Sequence, residues 1–594
     1  MPQIIIDGQR IEAAAGKTII EAALDNGINI PHFCWHPSLS VAGNCRMCLV
    51  NVGSIRRAAD GSIEHDADGN VVVNYMPKMQ IGCATPVADG MVVDTQSHKT
   101  ESAQNAVMEF LLNNHPLDCP ICDEAGQCKL QEYSFEHSKG KSRFDEQKVH
   151  KPKRVELGPQ IMFDGERCIS CSRCIRFADE IAKQPAITFV QRGDKVTIEN
   201  FPGTTFDSPY SMNVIDICPV GALTSKDFRF KTRVWEMSFN DSICTGCSRG
   251  CNTKVGVRDN TIMRIEPRTN MHVNEYWMCD HGRLTQYDFV NENRVSEPMI
   301  RNSAGQLVKA DWNDAYAAAA ELLRGVKHQE IMVIGSSKSS NEDNYLLAKF
   351  AKSVLKTNNI DFVRHFNEEF GDSFLRTRDM SPNAHGAMES GIAHHAQHGT
   401  SIDHLADKIS QGFIKALYVM DEDIALIPKI ASVLDKVQVL IVHTHNATAT
   451  AEKAHVVFAS STYAESEGTY TNVTKRVQHF TPAIVTKENE RYMGMKMSRW
   501  DKFGAFNDRW TQGERRNSRM SWRIVQGVAN AMNAQWQYKD SESVFEEMTH
   551  HVDGFKGMSY ELLDEYGGMI MGRIGTPESK GVVYESHYFK PQVS

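Results

Sequence analysis

The chain has 594 residues, 41% of them hydrophobic and 23% charged, with a formal net charge of -9. That length is too great for one core and points to roughly four domains of ordinary globular composition. The mild negative balance gives no reason to expect nucleic acid or an anionic membrane as a partner. No apolar run approaches the ~20 residues that cross a bilayer, and MPQIIIDGQR at the start lacks a charged-then-apolar leader, so no signal peptide is expected.

Residues Ile4-Ile5-Ile6 run into Asp7-Gly8, a hairpin-turn signal, and Arg10 to Ala13 is expected to return as a second strand. Gly16 to Leu24 then reads as a short helix ending near Gly27. Cys34, Cys45 and Cys48 follow in one loop, and Cys83 arrives later. Asp60-Gly61 and Asp68-Gly69 mark residues 54–77 as an inserted hairpin. Residues 101–112 read as an amphipathic helix with Ala106, Val107, Phe110 and Leu111 as its apolar face. It leads into His115, Cys119, Cys122 and Cys128. The lysines at 139, 141, 148, 151 and 153 suit a connector of solvated charge. Next come Cys168, Cys171 and Cys174 in CxxCxxC spacing, and Cys218-Pro219. Cys244, Cys247, Cys251 and Cys279 close the series.

All 15 cysteines lie in these groups, and His115 brings the group of three to four. Four-ligand sets are what metal centres require. Clustered CxxC spacings without an export signal favour metal ligation in a reducing compartment over disulfides. A zinc site is the competing reading for the first set, but zinc ligands usually come as two short pairs.

From about residue 300 the rhythm is α/β. Helix patterns cover Trp312 to Leu323 and Asn344 to Val354. Apolar strands are expected at Ile331 to Ile334, Ala416 to Met420 and Val437 to Val442, in a parallel sheet. The Gly335-Ser-Ser-Lys-Ser-Ser loop offers backbone N–H groups to a phosphate or is a plain turn. His394, His395, His443 and His445 lack a third metal ligand in register. No GxGxxG for NAD or flavin is found.

Several stretches resemble known families. The strand, turn, strand, helix, cysteine-loop order resembles a plant-type [2Fe-2S] ferredoxin, in the long-loop form of complex I and related dehydrogenases. The His115 segment resembles the one-histidine, three-cysteine [4Fe-4S] module of complex I and iron-only hydrogenases. The Cys168 to Cys218 pattern is half of a two-cluster bacterial ferredoxin, with Ala178, Ser208, Ser211 and Val214 where the second cluster's ligands would stand. Cys244 to Cys279, with Arg283, Arg294 and Pro298, resembles the [4Fe-4S] motif that opens molybdopterin oxidoreductases. His281 stands where those enzymes commonly carry Lys, which suggests no pterin. Ala464 to Asn472 resembles a segment of the same superfamily, with Lys475 in place of the usual Gly before Arg476. Phe555 to Tyr560 is similar to a late segment of the complex I branch.

Together these stretches resemble the family of large iron–sulfur subunits of bacterial NADH:quinone oxidoreductase, respiratory complex I. The resemblance implies a multidomain α+β and α/β chain. Its expected parts are a β-grasp [2Fe-2S] domain at 1–98, a one-histidine/three-cysteine module at 99–138 and a bacterial-ferredoxin-like domain at 139–235. A molybdopterin-type [4Fe-4S] domain at 236–298 and a cofactor-free molybdopterin-oxidoreductase-like domain at 299–594 complete it. It implies one [2Fe-2S] and three [4Fe-4S] clusters, with no flavin, NAD or molybdopterin and no independent catalytic centre. Partners would be the flavin/NADH-binding subunit and the quinone-side iron–sulfur subunits, on the cytoplasmic side of the inner membrane. The Cys244 cluster would stand off the main electron route. A molybdenum-dependent formate dehydrogenase and the electron-carrying subunit of an NAD-linked hydrogenase are the alternatives.

Overall fold

The computed structural model describes residues 1–67, 69, 71–394, 399–490 and 516–573. His395 and Asp68 lie outside the described residues. The chain divides into two compact units, Met1–Trp235 and Glu236–Ser586.

The first unit opens with the hairpin Gln3–Ile6 and Gln9–Glu12, in antiparallel register with Ile6 opposite Gln9. Asp7 and Gly8 both take positive φ, 51° and 83°, as a two-residue hairpin turn of the primed type demands. Gln3–Ile6 also pairs in parallel with Met91–Asp94, which pairs antiparallel with Leu49–Ile55. Helix Ile19–Asp25 covers the sheet. Its first turn is closed by the Thr18 N–H donating to Glu21 at 2.7 Å. Ile4, Ile6, Ile19, Ile20, Val50, Val52 and Val93 form the core, and Trp35, Cys48 and Cys83 join it. Within 54–77, the isolated pairings Arg57–Ile63 and His65–Val71 show the insertion folded back on itself.

Helix His98–Asn113 forms where expected, but the buried stripe is Thr100, Gln104 and Met108. Phe110, expected on the apolar face, is 76% exposed. Thr100 is drawn inward because its hydroxyl donates to the Asp94 carbonyl at 3.1 Å, which fixes the helix face turned to the sheet. The lysine-rich connector is not merely solvated. Lys148 donates to the carbonyls of Leu112 and Asn113, Lys151 to that of Val196, and Lys153 to the Asp118 carboxylate. The unit ends with antiparallel strands Ile161–Phe163 and Leu223–Ser225, the hairpin Ile187–Val190/Thr197–Asn200, and helix Arg173–Glu180.

The second unit begins with three antiparallel strands, Ser238–Ile243, Asn252–Arg258 and Thr261–Pro267. Its main sheet runs Leu307–Lys309, Met299–Arg301, Val456–Ala459, Val439–Thr444, Ala416–Met420, Ile331–Ser336 and Ile360–Val363. The last five are parallel. Four of them, Val456–Ala459, Val439–Thr444, Ala416–Met420 and Ile331–Ser336, are buried at every residue. Parallel strands covered on both faces need continuous apolar runs; three of these four are expected from such runs, the third displaced by two residues to Val439–Thr444, and Val456–Ala459 is not expected. Helices Trp312–Arg324, Asn341–Lys349 and Ser521–Ala531 pack on this core. The expected helix Asn344 to Val354 is an α-helix only to Lys349 and widens to a π turn over Phe350–Val354.

Candidate metal centres

In the first set, the thiols of Cys34, Cys48 and Cys83 are essentially inaccessible. Cys34 exchanges sulfur hydrogen bonds with Cys45 and Cys83, and Cys48 with Cys83, so all four sulfurs adjoin. The bonds from Cys45 and Cys83 push the Cys34 thiol down, and the same hydrogen bonds push both partners up. The Cys34 N–H points at Cys45 Sγ at 3.4 Å.

The second set is built on one turn, Cys119–Ile121, where the Cys122 N–H donates to the Cys119 carbonyl at 3.3 Å. Cys122 and Cys128 are buried, and Cys119 is exposed. Burial, then the cations Arg167 and Lys148, hold the His115 imidazole down to about 4. It is therefore neutral near pH 7, the form that ligates metals. Arg167 and Lys153 both pair with Asp118 in the approach to this turn.

In the third set Cys168, Cys171, Cys174 and Cys218 line a common cavity with Phe163, Ile198 and Leu223. Ser170 and Ser172 take left-handed φ of 54° and 63°, winding the loop so that successive thiols turn inward. Burial raises all four thiols, Cys168 to about 11. Ala178, Ser208, Ser211 and Val214, the positions of the missing second cluster, are all buried. Ser208 is held through its N–H to the Gln184 side chain at 2.8 Å.

In the fourth set all four thiols are buried, and burial raises Cys244, Cys251 and Cys279, the last to about 12. Backbone N–H groups of Gly246 and Gly282 point at Cys244 Sγ and Cys279 Sγ, at 3.4 and 3.3 Å. A Cβ on Gly282 would stand 2.8 Å from Cys244 Sγ, so glycine is needed where the two sulfurs converge.

The sets of the first unit abut. Helix Arg173–Glu180 starts inside the third set, and Arg173 reaches the carbonyls of Trp35 and Ile217, while Arg176 reaches those of Cys34 and Cys171. Cys128 Sγ lies 3.9 Å from the Pro219 carbonyl, next to Cys218. A Cβ on Gly221 would stand 2.1 Å from Cys122 Sγ. Sequence reading missed Arg173 and Gly221, because their partners are remote along the chain.

Among the described residues no group of three or more His, Cys, Asp or Glu is arranged to hold a single metal ion. The largely buried thiols of the first, third and fourth sets, with N–H groups directed at sulfur in each, fit thiolate-held iron–sulfur groups.

The other candidates resolve as structure. The N–H of Ser336 donates to Asn344, that of Lys338 to Ser336 Oγ, and that of Ser339 to the Ser336 carbonyl, so the serine loop is a self-bonded turn. His443 uses both ring nitrogens, on Tyr418 at 2.7 Å and Ser521 at 3.3 Å. Lys475 takes a left-handed φ of 62°, which explains why the resembled segment carries Gly there. Beside the fourth set lies a cavity of about 440 Å³, lined by Gly246, His281, Lys338, Asp343, Asp421 and His445 among others. No helix among the described residues is long and apolar enough to cross a membrane.

Five family models match in the order of the four sets. They are a 2Fe-2S iron-sulfur cluster binding domain over residues 2–98, an NADH-ubiquinone oxidoreductase-G iron-sulfur binding region over 104–143, and the ferredoxin-like domain of NADH-quinone oxidoreductase subunit 3 over 158–224. A molybdopterin oxidoreductase Fe4S4 domain matches 237–291, and a molybdopterin oxidoreductase domain matches 294–393 and 371–493. The chain is 40% identical over 366 residues to an NADH-quinone oxidoreductase subunit of Rickettsia conorii, the one lettered G, covering 61% of this chain and 51% of that one. It is 35% identical over 378 residues to NADH-quinone oxidoreductase subunit 3 of Thermus thermophilus, covering 61% and 47%. A mitochondrial NADH dehydrogenase [ubiquinone] iron-sulfur protein 1 of Solanum tuberosum is 37% identical over 382 residues, covering 64% and 47%. The chain thus spans about half the length of the curated relatives it matches. A solved NAD+-reducing [NiFe]-hydrogenase chain overlaps 39% of this chain and 91% of its own at 27% identity, with a TM-score of 0.32. In the order of its iron–sulfur domain matches and at 35–40% identity, this chain is similar to the NADH-quinone oxidoreductase subunit that is numbered 3 in Thermus thermophilus and lettered G in Rickettsia conorii.

Proposed function

We propose that the chain is an electron-transfer subunit in the peripheral arm of an NADH-quinone oxidoreductase. It receives electrons from a flavin-bearing partner and hands them on toward quinone-side iron–sulfur subunits, at the cytoplasmic face of the inner membrane. The observation that carries this reading is the contiguity of the first three ligand sets. The first touches the third through Arg173 and Arg176, and the third touches the second through Pro219 and Gly221.

Cys34, Cys45, Cys48 and Cys83 would hold a [2Fe-2S] group. His115 with Cys119, Cys122 and Cys128 would hold one [4Fe-4S] group, Cys168 to Cys218 a second, and Cys244 to Cys279 a third. Iron–sulfur groups supply one-electron carriers whose potentials follow ligand type, hydrogen bonds, burial and charge. The protein's part is to exclude water, aim N–H groups at sulfur and keep the stations close. Neutral His115 in place of a thiolate makes its station less negative, which raises its potential. The Cys244 set lies in the other compact unit and is assigned a structural role off the main route.

Replacing Cys171 with Ser tests the relay. One [4Fe-4S] signal should vanish, and NADH-to-quinone turnover of the assembled complex should stop. Undiminished turnover would remove this station from the path.

The 440 Å³ cavity beside the fourth set and the match over 294–493 favour a second reading, a pterin-bearing molybdenum enzyme. Molybdenum in anaerobically purified protein would decide for it.

A further inference from the structure

Arg173 is 1% exposed, and its guanidinium is paired with no carboxylate among the described residues. Two of its nitrogens donate to carbonyls, of Trp35 and Ile217, and Nε has no partner. A buried, uncompensated cation is strongly unfavourable. Two further cations add repulsion, Lys129 from a neighbouring helix and Arg176 from the same one. The groups that face it and would carry the opposite charge as thiolates are Cys171 of the third set and Cys45 and Cys34 of the first. The nearby imidazoles His32 and His36 are buried, and an imidazole is no anion that could offset the charge.

We infer that Arg173 is the shared counter-cation of the first and third ligand sets, and that its fixed charge sets the reduction potentials of both stations together. Reduction adds negative charge to a station. A guanidinium held between two stations in low dielectric stabilises both reduced forms, and is little screened by salt. Arg suits the place because it stays charged when buried and its planar fork engages two carbonyls at once. The inference deepens the relay reading and rests on the clusters being present.

The test is a redox titration, followed by low-temperature EPR, of the anaerobically purified full chain carrying Arg173→Gln or Arg173→Lys. With Gln, the potentials of the [2Fe-2S] signal and of one [4Fe-4S] signal should both fall, the other [4Fe-4S] signals staying in place. With Lys, which keeps the charge, both should stay near wild type. Loss of the two clusters with Gln and their return with Lys would also support the charge. Unchanged potentials with Gln, a shift in only one signal, or loss of the clusters in both variants would overturn it. A wild-type chain without iron signals would instead sink the relay reading itself, so the two failures are distinguishable.

Discussion

Gly221→Ala is the sharpest probe of the contact between the second and third ligand sets. Gly221 has no left-handed φ that would forbid a side chain, so any effect comes from space alone. The added Cβ would lie 2.1 Å from Cys122 Sγ and 2.9 Å from Glu124 Cβ. Carbon and sulfur need well over 3 Å, so the sulfur must retreat by more than about 1 Å. Cys122 is buried and tied into the Cys119–Ile121 turn, so it cannot do so freely. Overpacking of this kind costs about 1–3 kcal/mol, or a fall in melting temperature of about 2–12 °C for a unit of this size. Because the displaced atom is a proposed ligand, the [4Fe-4S] signal of the His115 station should weaken or change shape while the [2Fe-2S] signal persists. EPR of the reduced variant and its thermal unfolding are the assays. An unchanged spectrum and melting temperature would refute both the contact and its bearing on the station.

Three further outcomes are expected. Lys475→Gly should stabilise the second unit by about 1 kcal/mol in urea unfolding, since a left-handed residue without a Cβ is unstrained; a destabilised variant would show that the Lys475 side chain matters more than its backbone. His479 packs on Tyr560 at 4.1 Å between Asp564 at 3.0 Å and Glu467 at 3.7 Å. Burial pulls its imidazole down, but the two carboxylates outweigh burial and raise it to about 9. The raised value means that the protonated ring stabilises the fold fully below about pH 6.5 and that this is lost as pH rises through about 9. The loss is up to about 3 kcal/mol, reduced by the exposure of Asp564; His479→Gln should flatten that stretch of the stability profile, and an unflattened one would assign it to other groups. Cys247→Ala should spare NADH-to-quinone turnover in complex that assembles, while lowering assembly; a large rate loss in assembled complex would put the fourth station on the path.

The parts legible in the sequence are those with short-range causes. Asp7-Gly8 wrote the opening hairpin, because only a turn with two positive φ values closes a two-residue loop. Continuous apolar runs wrote the parallel sheet. Cysteine spacing proposed the four sets, and the structure buries all but one of those thiols wholly or partly. What escaped depends on distant partners. Arg173 reads as one more polar residue of a CxxCxxC loop until Trp35, 138 positions away, folds against it. Gly221 is unremarkable until Cys122 arrives. Phe110 misled the periodicity of its helix because a hydroxyl bond from Thr100 to Asp94 outweighs a weak apolar stripe in choosing the buried face. The connector lysines looked solvated because their acceptors, backbone carbonyls ending a helix and Asp118, carry no sequence mark.

The most direct measurement is iron content with reduced low-temperature EPR on the anaerobically purified full chain. About 14 iron per chain, one [2Fe-2S] and three [4Fe-4S] signals, and no molybdenum is the expected result. An iron-free native chain, or one whose thiols have paired with one another, would contradict it.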